Sequence, residues 1–208
     1  MPVMYNGERQ PDCASGDSRR IGASVVAYAI CIDYAGEQSK TSFHTHRTKE
    51  SDPMPKRYWL LKTEPDAYSI DDLQRDKTTC WDGVRNYQAR NFMRDQMQVG
   101  DDVFIYHSNA QPTGIAGLAK VSKAGYADST ALDPKDVHFD PKATKENPIW
   151  MRVDVAFEKK LGRVVTLEEI KAEKKLATML LVQRGQRLSV QPVEAGHFAM
   201  ILKMAGQG

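Results

Sequence analysis

Residues 149–161, IWMRVDVAFEKKL, constrain the fold more than any other stretch because their side chains alternate over an unusually long run. One set of alternate positions holds Met151, Val153, Val155 and Phe157, and the other holds Trp150, Arg152, Asp154 and Ala156. Successive side chains of a strand point to opposite faces of a sheet, so the pattern predicts a long strand with one buried and one solvated or functional face. Long strands with few helices between them exclude a doubly wound parallel sheet.

Further strands are predicted from short runs of β-branched, aromatic and aliphatic residues. These runs cover residues 57–63, 78–84, 102–108, 114–126 and 186–193. Pro65 and Pro192 lack the backbone N–H that a β-ladder uses, so we expect them to end the first and the last of these strands. Gly83 is expected to turn the chain after the second strand.

Capping residues mark where the helices begin. Ser69 with Asp72, and Thr166 with Glu169, have the spacing of capping boxes. Asn86 is expected to cap a helix that runs to Gly100, with one apolar face formed by Ala89, Phe92, Met93 and Met97. The order of elements predicts an α+β fold, a mixed β-barrel of about five to seven strands surrounded by short helices.

The first 53 residues do not share this pattern. Residues 1–53 are rich in turn residues and interrupted by one short apolar run, which predicts a poorly structured N-terminal extension. Arg19 and Arg20 precede that run as in an export signal, but no clean cleavage site follows. We expect Met54 to be the functional start and residues 54–208 to form the domain. His44 and His46 form an H-x-H pair without a nearby third ligand, so no metal site is expected.

Composition limits the classes of function. The net charge is +2 and the isoelectric point is about 8.3, so the chain is not a nonspecific nucleic-acid binder, and any basic surface must be local. The three cysteines lack CxxC spacing, and no apolar run is long enough to span a membrane. These features favour a cytoplasmic protein. Phosphate-binding loop, nucleophile elbow and metal-cluster motifs are absent from the sequence, so no cofactor is expected.

Five segments, in order, resemble the EVE domain family. They read YWLLKTEP, WDGVRNYQARNFM, GDDVFIYHS, GIAGLAKV and RLSVQPV, and the resemblance runs from Lys56 to Ile201. The family belongs to the PUA-like superfamily of compact barrels, whose relatives include the YTH and ASCH domains. The resemblance therefore implies a PUA-like barrel for the predicted mixed sheet.

The resemblance also implies a function: a non-enzymatic module that binds DNA or RNA carrying a modified nucleobase. Modified cytosine in DNA is the expected target, and the chain is expected to be a monomer that does not bind membranes. The base-pocket residues implied by the matching motifs are Lys62, Thr63, Glu64, Trp81, Asn86, Tyr87, Ser108 and Ser189. The expected phosphate-binding or rim residues are Arg85, Arg90, Arg94 and Arg187; Arg90 and Arg187 follow from the matching motifs, and Arg85 and Arg94 from their positive charge. His107 would lie in the pocket floor.

A base pocket needs an aromatic wall and a few fixed polar groups. Trp81 and Tyr87 can supply walls, and stacking on such a wall contributes about 1–3 kcal/mol per base. Structural roles remain open for the same residues. Trp81 can be a core aromatic, Asn86 can serve only as a helix cap, and His107 can be a structural histidine. The arginines can form a solvated face.

An enzymatic alternative comes from the ASCH relatives, which include hydrolases of acylated cytidine that use lysine, threonine and glutamate. Lys62, Thr63 and Glu64 supply these residue types. Consecutive strand residues point to alternate faces, however, so Thr63 would face away from the other two. The enzyme hypothesis therefore depends on how the chain turns at Pro65.

Overall fold

The computed structural model describes residues 56–206. Its strands form one mixed sheet with helices on both faces. The strands are β1 (Tyr58–Thr63), β2 (Thr78–Trp81), β3 (Asp102–His107), β4 (Gly114–Ala127), β5 (Met151–Thr166) and β6 (Val190–Val193). The α-helices are α1 (Ile70–Asp76), α2 (Tyr87–Asp95), α3 (Leu167–Ala172) and α4 (Ala195–Met204). Short 3₁₀ helices cover Ser129–Leu132, Lys174–Leu176 and Leu180–Val182.

The strand order across the sheet is β2-β5-β4-β3-β1-β6. β1 pairs with β3 in parallel, and every other neighbouring pair is antiparallel. This confirms the predicted α+β class with a six-stranded mixed sheet. Within residues 56–206 the edge strands β2 and β6 do not pair with each other, so the sheet is open and is not a closed hydrogen-bonded barrel. Helix α2 contacts β4, β5 and β6.

The sheet is strongly curved because its two longest strands do not keep a regular register. The β4–β5 pairing shifts at several points, including between Val121 and Lys123, and such bulges bend a strand and increase its twist. Gly125 lets the bent end of β4 lie directly against α2, because a Cβ there would come within 2.4 Å of the Met93 carbonyl oxygen. The irregular strands thus bring the β4–β5 end of the sheet beside α2.

Alternation along the strands produces two hydrophobic cores. Trp59 and Leu61 of β1 face the first core, which α1 and α2 cover. Leu60, on the opposite face, packs in the second core with Phe104 and Phe198, whose rings stack at 4.1 Å between centroids. The residues at the centre of each core are fully buried. Neighbouring residues of β1 therefore pack into different cores, one on each face of the sheet.

The predicted capping boxes and strands are confirmed, but Pro192 lies within β6, opposite Trp59, and does not end the strand as predicted. Ser69 and Thr166 cap α1 and α3 through reciprocal bonds with Asp72 and Glu169. Helix α2 ends at Asp95 and does not continue to Gly100. The reason is Asp101, whose carboxylate accepts a hydrogen bond from Gln98 N at 2.9 Å and draws the chain into a turn.

The predicted N-terminal extension, with Met54, His44 and His46, lies outside the described residues, and the proposed domain boundary stays a prediction. In the part of the chain that the structure describes, no helix has the length and apolar character needed to cross a membrane. Within the same residues, no three His, Cys, Asp or Glu side chains are grouped so as to hold a metal ion.

Replacing Asp101 with alanine should lower the free energy of unfolding by about 2–3 kcal/mol, because a buried indole N–H loses its acceptor. The carboxylate accepts hydrogen bonds from Trp59 Nε1 at 2.8 Å and from Arg57 N at 3.1 Å, besides Gln98 N. Urea unfolding followed by fluorescence measures the change. Asp66→Ala, at an exposed position, is the control and should have little effect. Equal stability of the two variants would contradict this role of Asp101.

Candidate nucleic-acid interface

The end of β1 brings together the predicted polar residues from three strand ends. Lys62 N donates to Ser189 O at 2.8 Å, and Ser108 N donates to Thr63 O at 2.8 Å. The Ser108 hydroxyl also donates to Thr63 O at 3.1 Å. Lys62, Thr63, Ser108 and Ser189 are therefore neighbours along the backbone, and the half-buried Glu64 follows directly.

The side chains of Lys62 and Thr63 nevertheless lie on opposite faces of the sheet. The Thr63 hydroxyl donates to Tyr68 O at 3.0 Å on the side of α1. Lys62 Nζ lies 5.8 Å from the ring centroid of Tyr106, on the other side. Burial lowers the pKa of Lys62 and raises the pKa of Tyr106 to about 12. The lysine and threonine that a hydrolase would need side by side are thus held apart.

His107, at the end of β3, has a structural role. Its Nε2 accepts a hydrogen bond from Ile70 N at 3.1 Å and so satisfies the first residue of α1. Burial lowers the pKa of the imidazole and outweighs the opposing effect of the Asp71 charge, and Lys160 adds a smaller lowering effect. The neutral ring, with a lone pair on Nε2, is the form that this contact requires.

Trp81 is placed in the first hydrophobic core. Its side chain is 1% exposed, and its position in β2 pairs with Val153 of β5. This is the environment of the core aromatic that the sequence left open as an alternative. The stacking role of Trp81 stays a prediction. Tyr87, the other predicted aromatic wall, is exposed on the surface.

Arg85 does not lie on an open rim, because its guanidinium is engaged by the protein. Nη1 donates to Asp128 Oδ2 at 2.7 Å, Nη2 to Thr130 Oγ1 at 2.9 Å and Nε to His138 O at 2.7 Å. The Asp128 side chain is completely buried. Burial by itself would raise the pKa of Asp128, but the hydrogen bonds from Arg85 and Thr130 outweigh it and lower the pKa. Arg85 therefore anchors the connection between β4 and β5 to the turn after β2.

An aromatic and cationic group lies on the surface at the start of α2. Asn86 caps the helix, with its Oδ1 accepting from Gln88 N at 2.9 Å. Tyr87 is 57% exposed, and its ring packs on Trp150 at 4.9 Å between centroids. The Arg90 guanidinium lies 5.0 Å from the Tyr87 ring centroid. We call Tyr87, Trp150 and Arg90 the Tyr87 stack.

The remaining predicted arginines are exposed. Arg94 forms an ion pair with its neighbour Asp95 at 2.7 Å, and Arg187 precedes the buried Leu188. The sequence prediction missed Trp150, Asp128 and His138 as parts of this end of the molecule. For Asp128 a signal was present, since Asp-Ser-Thr is typical of an Asx turn. Trp150 was read only as one position of the alternating strand.

The architecture is that of the PUA-like domains: a curved mixed sheet with short helices and a polar cluster at the end of the first strand. The family model that matches residues 57–204 is the EVE domain, and the chain belongs to this family. It is 43% identical to rat thymocyte nuclear protein 1 over 222 residues, covering 95% of each chain. It is 42% identical to human thymocyte nuclear protein 1 over 166 residues, covering 71% of this chain and 73% of the human one.

Solved structures with the same fold include a hypothetical protein from Leishmania major. It is 53% identical, with a TM-score of 0.68, over 73% of this chain and 96% of the other. Human THYN1 in complex with 5-methylcytosine-containing DNA is 40% identical, with a TM-score of 0.68. That match covers 74% of this chain and 99% of the human protein.

Replacing Asp128 with asparagine should lower the free energy of unfolding by about 2–3 kcal/mol, because the mostly buried Arg85 loses its counter-charge. Amide hydrogen exchange between residues 128 and 150 should also accelerate. The control is Asp95→Asn, which removes an exposed ion pair and should change stability by about 0.5 kcal/mol or less. Unchanged exchange in this segment would contradict the anchoring role of Arg85.

Acidification should destabilise the fold through His107. Because the folded-state pKa is lowered, the unfolded chain binds a proton first as the pH falls below about 6.5. The free energy of unfolding should therefore decrease from about pH 6.5 down to the lowered pKa. His107→Gln retains an acceptor for Ile70 N and should flatten this dependence in urea titrations between about pH 7 and pH 5. An equally steep dependence in the variant would assign the effect to other groups.

Proposed function

We propose that this chain is a non-enzymatic DNA-binding module that recognises a modified cytosine, with 5-methylcytosine as the first candidate. The observation that carries the proposal is the match to human THYN1 in complex with 5-methylcytosine-containing DNA, at 40% identity over 99% of that chain. The proposal assigns the same class of ligand to this member of the family.

The Tyr87 stack supports the proposal because it is a preformed aromatic surface. Tyr87 already rests on Trp150, so little side-chain freedom remains to be lost when a base stacks on its outer side. Base–aromatic stacking contributes about 1–3 kcal/mol. The Arg90 guanidinium lies over the Tyr87 ring and can add a cation–π or phosphate contact. We assign the wall to Tyr87, with Asn86 and Arg90 at its edge.

The end of β1 provides the second group of contacts in the proposal. Lys62 has no ion-pair partner among residues 56–206, and its ammonium is available for a phosphate. The side chains of Ser189 and Glu64 would offer donors and acceptors for a base edge. Arg94 and Arg187 would contact the flanking backbone. Because the net charge is small, this contribution depends on these local cations and should weaken with salt.

The separation of Lys62 from Thr63 supports binding without turnover. These side chains project to opposite faces, so they cannot act together on one substrate atom. We also propose that the module acts as a monomer, as expected for recognition of a single base. A cytoplasmic location stays a prediction.

Binding should be measured with duplexes that carry one 5-methylcytosine or an unmodified cytosine at the same position, at fixed ionic strength. We expect tighter binding of the methylated duplex. Tyr87→Ala should weaken it by about 5- to 30-fold, which corresponds to about 1–2 kcal/mol. Tyr87→Phe keeps the ring and is the matched control, with affinity close to that of the unchanged protein.

Other ligands separate the alternatives. Equal affinity for methylated and plain DNA would overturn recognition of the modification. Preference for a modified RNA would reassign the nucleic acid. Turnover of an acylated cytidine that is lost in Lys62→Ala would identify a hydrolase and overturn the non-enzymatic proposal.

A further inference from the structure

Two exposed apolar side chains occupy one turn of the connection between β4 and β5. Among residues 56–206, four large apolar side chains are exposed: Tyr87, Val99, Val137 and Phe139. Val137 is 70% exposed and Phe139 is 39% exposed. Exposed apolar side chains that lie together on one turn can form a contact site. Packing within residues 56–206 leaves Val137 and Phe139 exposed.

The residue between them shows that this exposure is built into the turn. His138 faces inward, over Gly83, where an added Cβ would lie 2.9 Å from the imidazole ring. Its backbone N–H donates to Asp136 Oδ1 at 2.8 Å, and its carbonyl oxygen accepts from Arg85 Nε at 2.7 Å. With His138 held inward, Val137 and Phe139 are held outward.

The base of the same segment is tied to the rest of the interface. Asp140 N donates to Ala131 O at 3.0 Å, which closes the loop. The Asp140 carboxylate accepts from Trp150 Nε1 at 2.7 Å, and Trp150 underlies Tyr87. Val137 and Phe139 are therefore positioned on a braced loop beside the Tyr87 stack and the turn that follows Trp81.

We propose that Val137 and Phe139 form an apolar wedge that enters duplex DNA next to the base bound by the Tyr87 stack. This inference rests on the proposed function. A cytosine inside a duplex must leave the helix before its whole face and edge can be bound, and this requires unpairing and unstacking. Apolar side chains inserted at a base step replace part of the lost stacking.

The small apolar area of the turn favours DNA over a protein partner. Two side chains supply far less than the roughly 800 Å² that each partner of a stable protein complex buries. The nearest carboxylates are turned toward their own loop. Asp136 accepts from His138, and Asp133 accepts from Lys135 N at 2.9 Å. Asp140, next to Phe139, accepts from Lys142 N at 3.0 Å and from Trp150 Nε1 at 2.7 Å.

The test compares the double variant Val137→Ser/Phe139→Ser with the unchanged protein on two probes of the same sequence. One is a duplex with a single 5-methylcytosine, and the other is the methylated strand alone. We expect the variant to bind the duplex about tenfold more weakly and the single strand with unchanged affinity. A 2-aminopurine beside the methylated base should brighten on binding of the unchanged protein and less with the variant. Val99→Ser, at an exposed apolar position outside this loop, is the matched control.

The two probes separate the wedge from the proposed function. If the unchanged protein binds neither methylated probe, the proposed function fails, and the wedge with it. If it binds both and the double variant binds the duplex equally well, only the wedge is overturned. Equal weakening on both probes would also overturn it, because the side chains would then contact the base or its strand directly. Melting temperatures close to that of the unchanged protein verify that the exposed substitutions leave the fold intact.

Discussion

The geometry of the candidate interface depends on the neutralisation of one buried carboxylate, that of Asp128. An unpaired charge in this position would lower stability by several kcal/mol. Arg85 and Gly83 N, from the turn after β2, both bind this carboxylate, at 2.7 and 3.1 Å. The requirement to pair this charge therefore joins two segments that are far apart in sequence, and the positions of Trp150 and His138 follow from that junction.

A second constraint comes from the two-residue period of β1. The strand lies between β3 and β6 and serves a different core on each face. Thr63 must therefore turn toward α1 while Lys62 turns toward Tyr106. A one-residue shift would exchange the two cores, so the register fixes which polar groups are available at the strand end. Lys62 and Thr63, at the end of β1, thus point to different faces of the sheet.

Much of the fold could be predicted because the signals are local. The capping boxes at Ser69 and Thr166 and the alternation of β5 depend only on neighbours in sequence. The end of α2 was mispredicted because Asp101, which lies beyond the helix, accepts a hydrogen bond from Gln98 N through its side chain. This bond favours a turn over further helix. The open edge of the sheet also had no local signal. It depends on the failure of β2 and β6 to meet, which is a property of the whole topology.

The interface was less predictable because residue type does not determine exposure. Arg85 and Arg90 lie in one motif, yet one binds a buried carboxylate and the other an exposed ring. Trp81 and Tyr87 are both aromatic, but only Tyr87 is exposed. These differences arise from the β4–β5 connection, which supplies Asp128 and Trp150 from about 40 to 65 residues away, a separation at which sequence periodicity carries no information.

In the proposed function, stacking of a base on the aromatic surface and selection for its methyl group place different demands on the site. Burying one methyl group contributes only about 0.8 kcal/mol, which is a small fraction of what stacking and phosphate contacts supply to any cytosine. Discrimination must therefore depend on how poorly the site accepts the unmodified base, including the free energy of removing it from a duplex. A loop held in place next to the aromatic surface is suited to removing a base from the duplex. Because the loop is already ordered, binding does not lose free energy to ordering it. In the proposed function, the buried Arg85–Asp128 pair would act on selectivity indirectly, because Arg85 also binds the His138 carbonyl oxygen and so holds this loop in place.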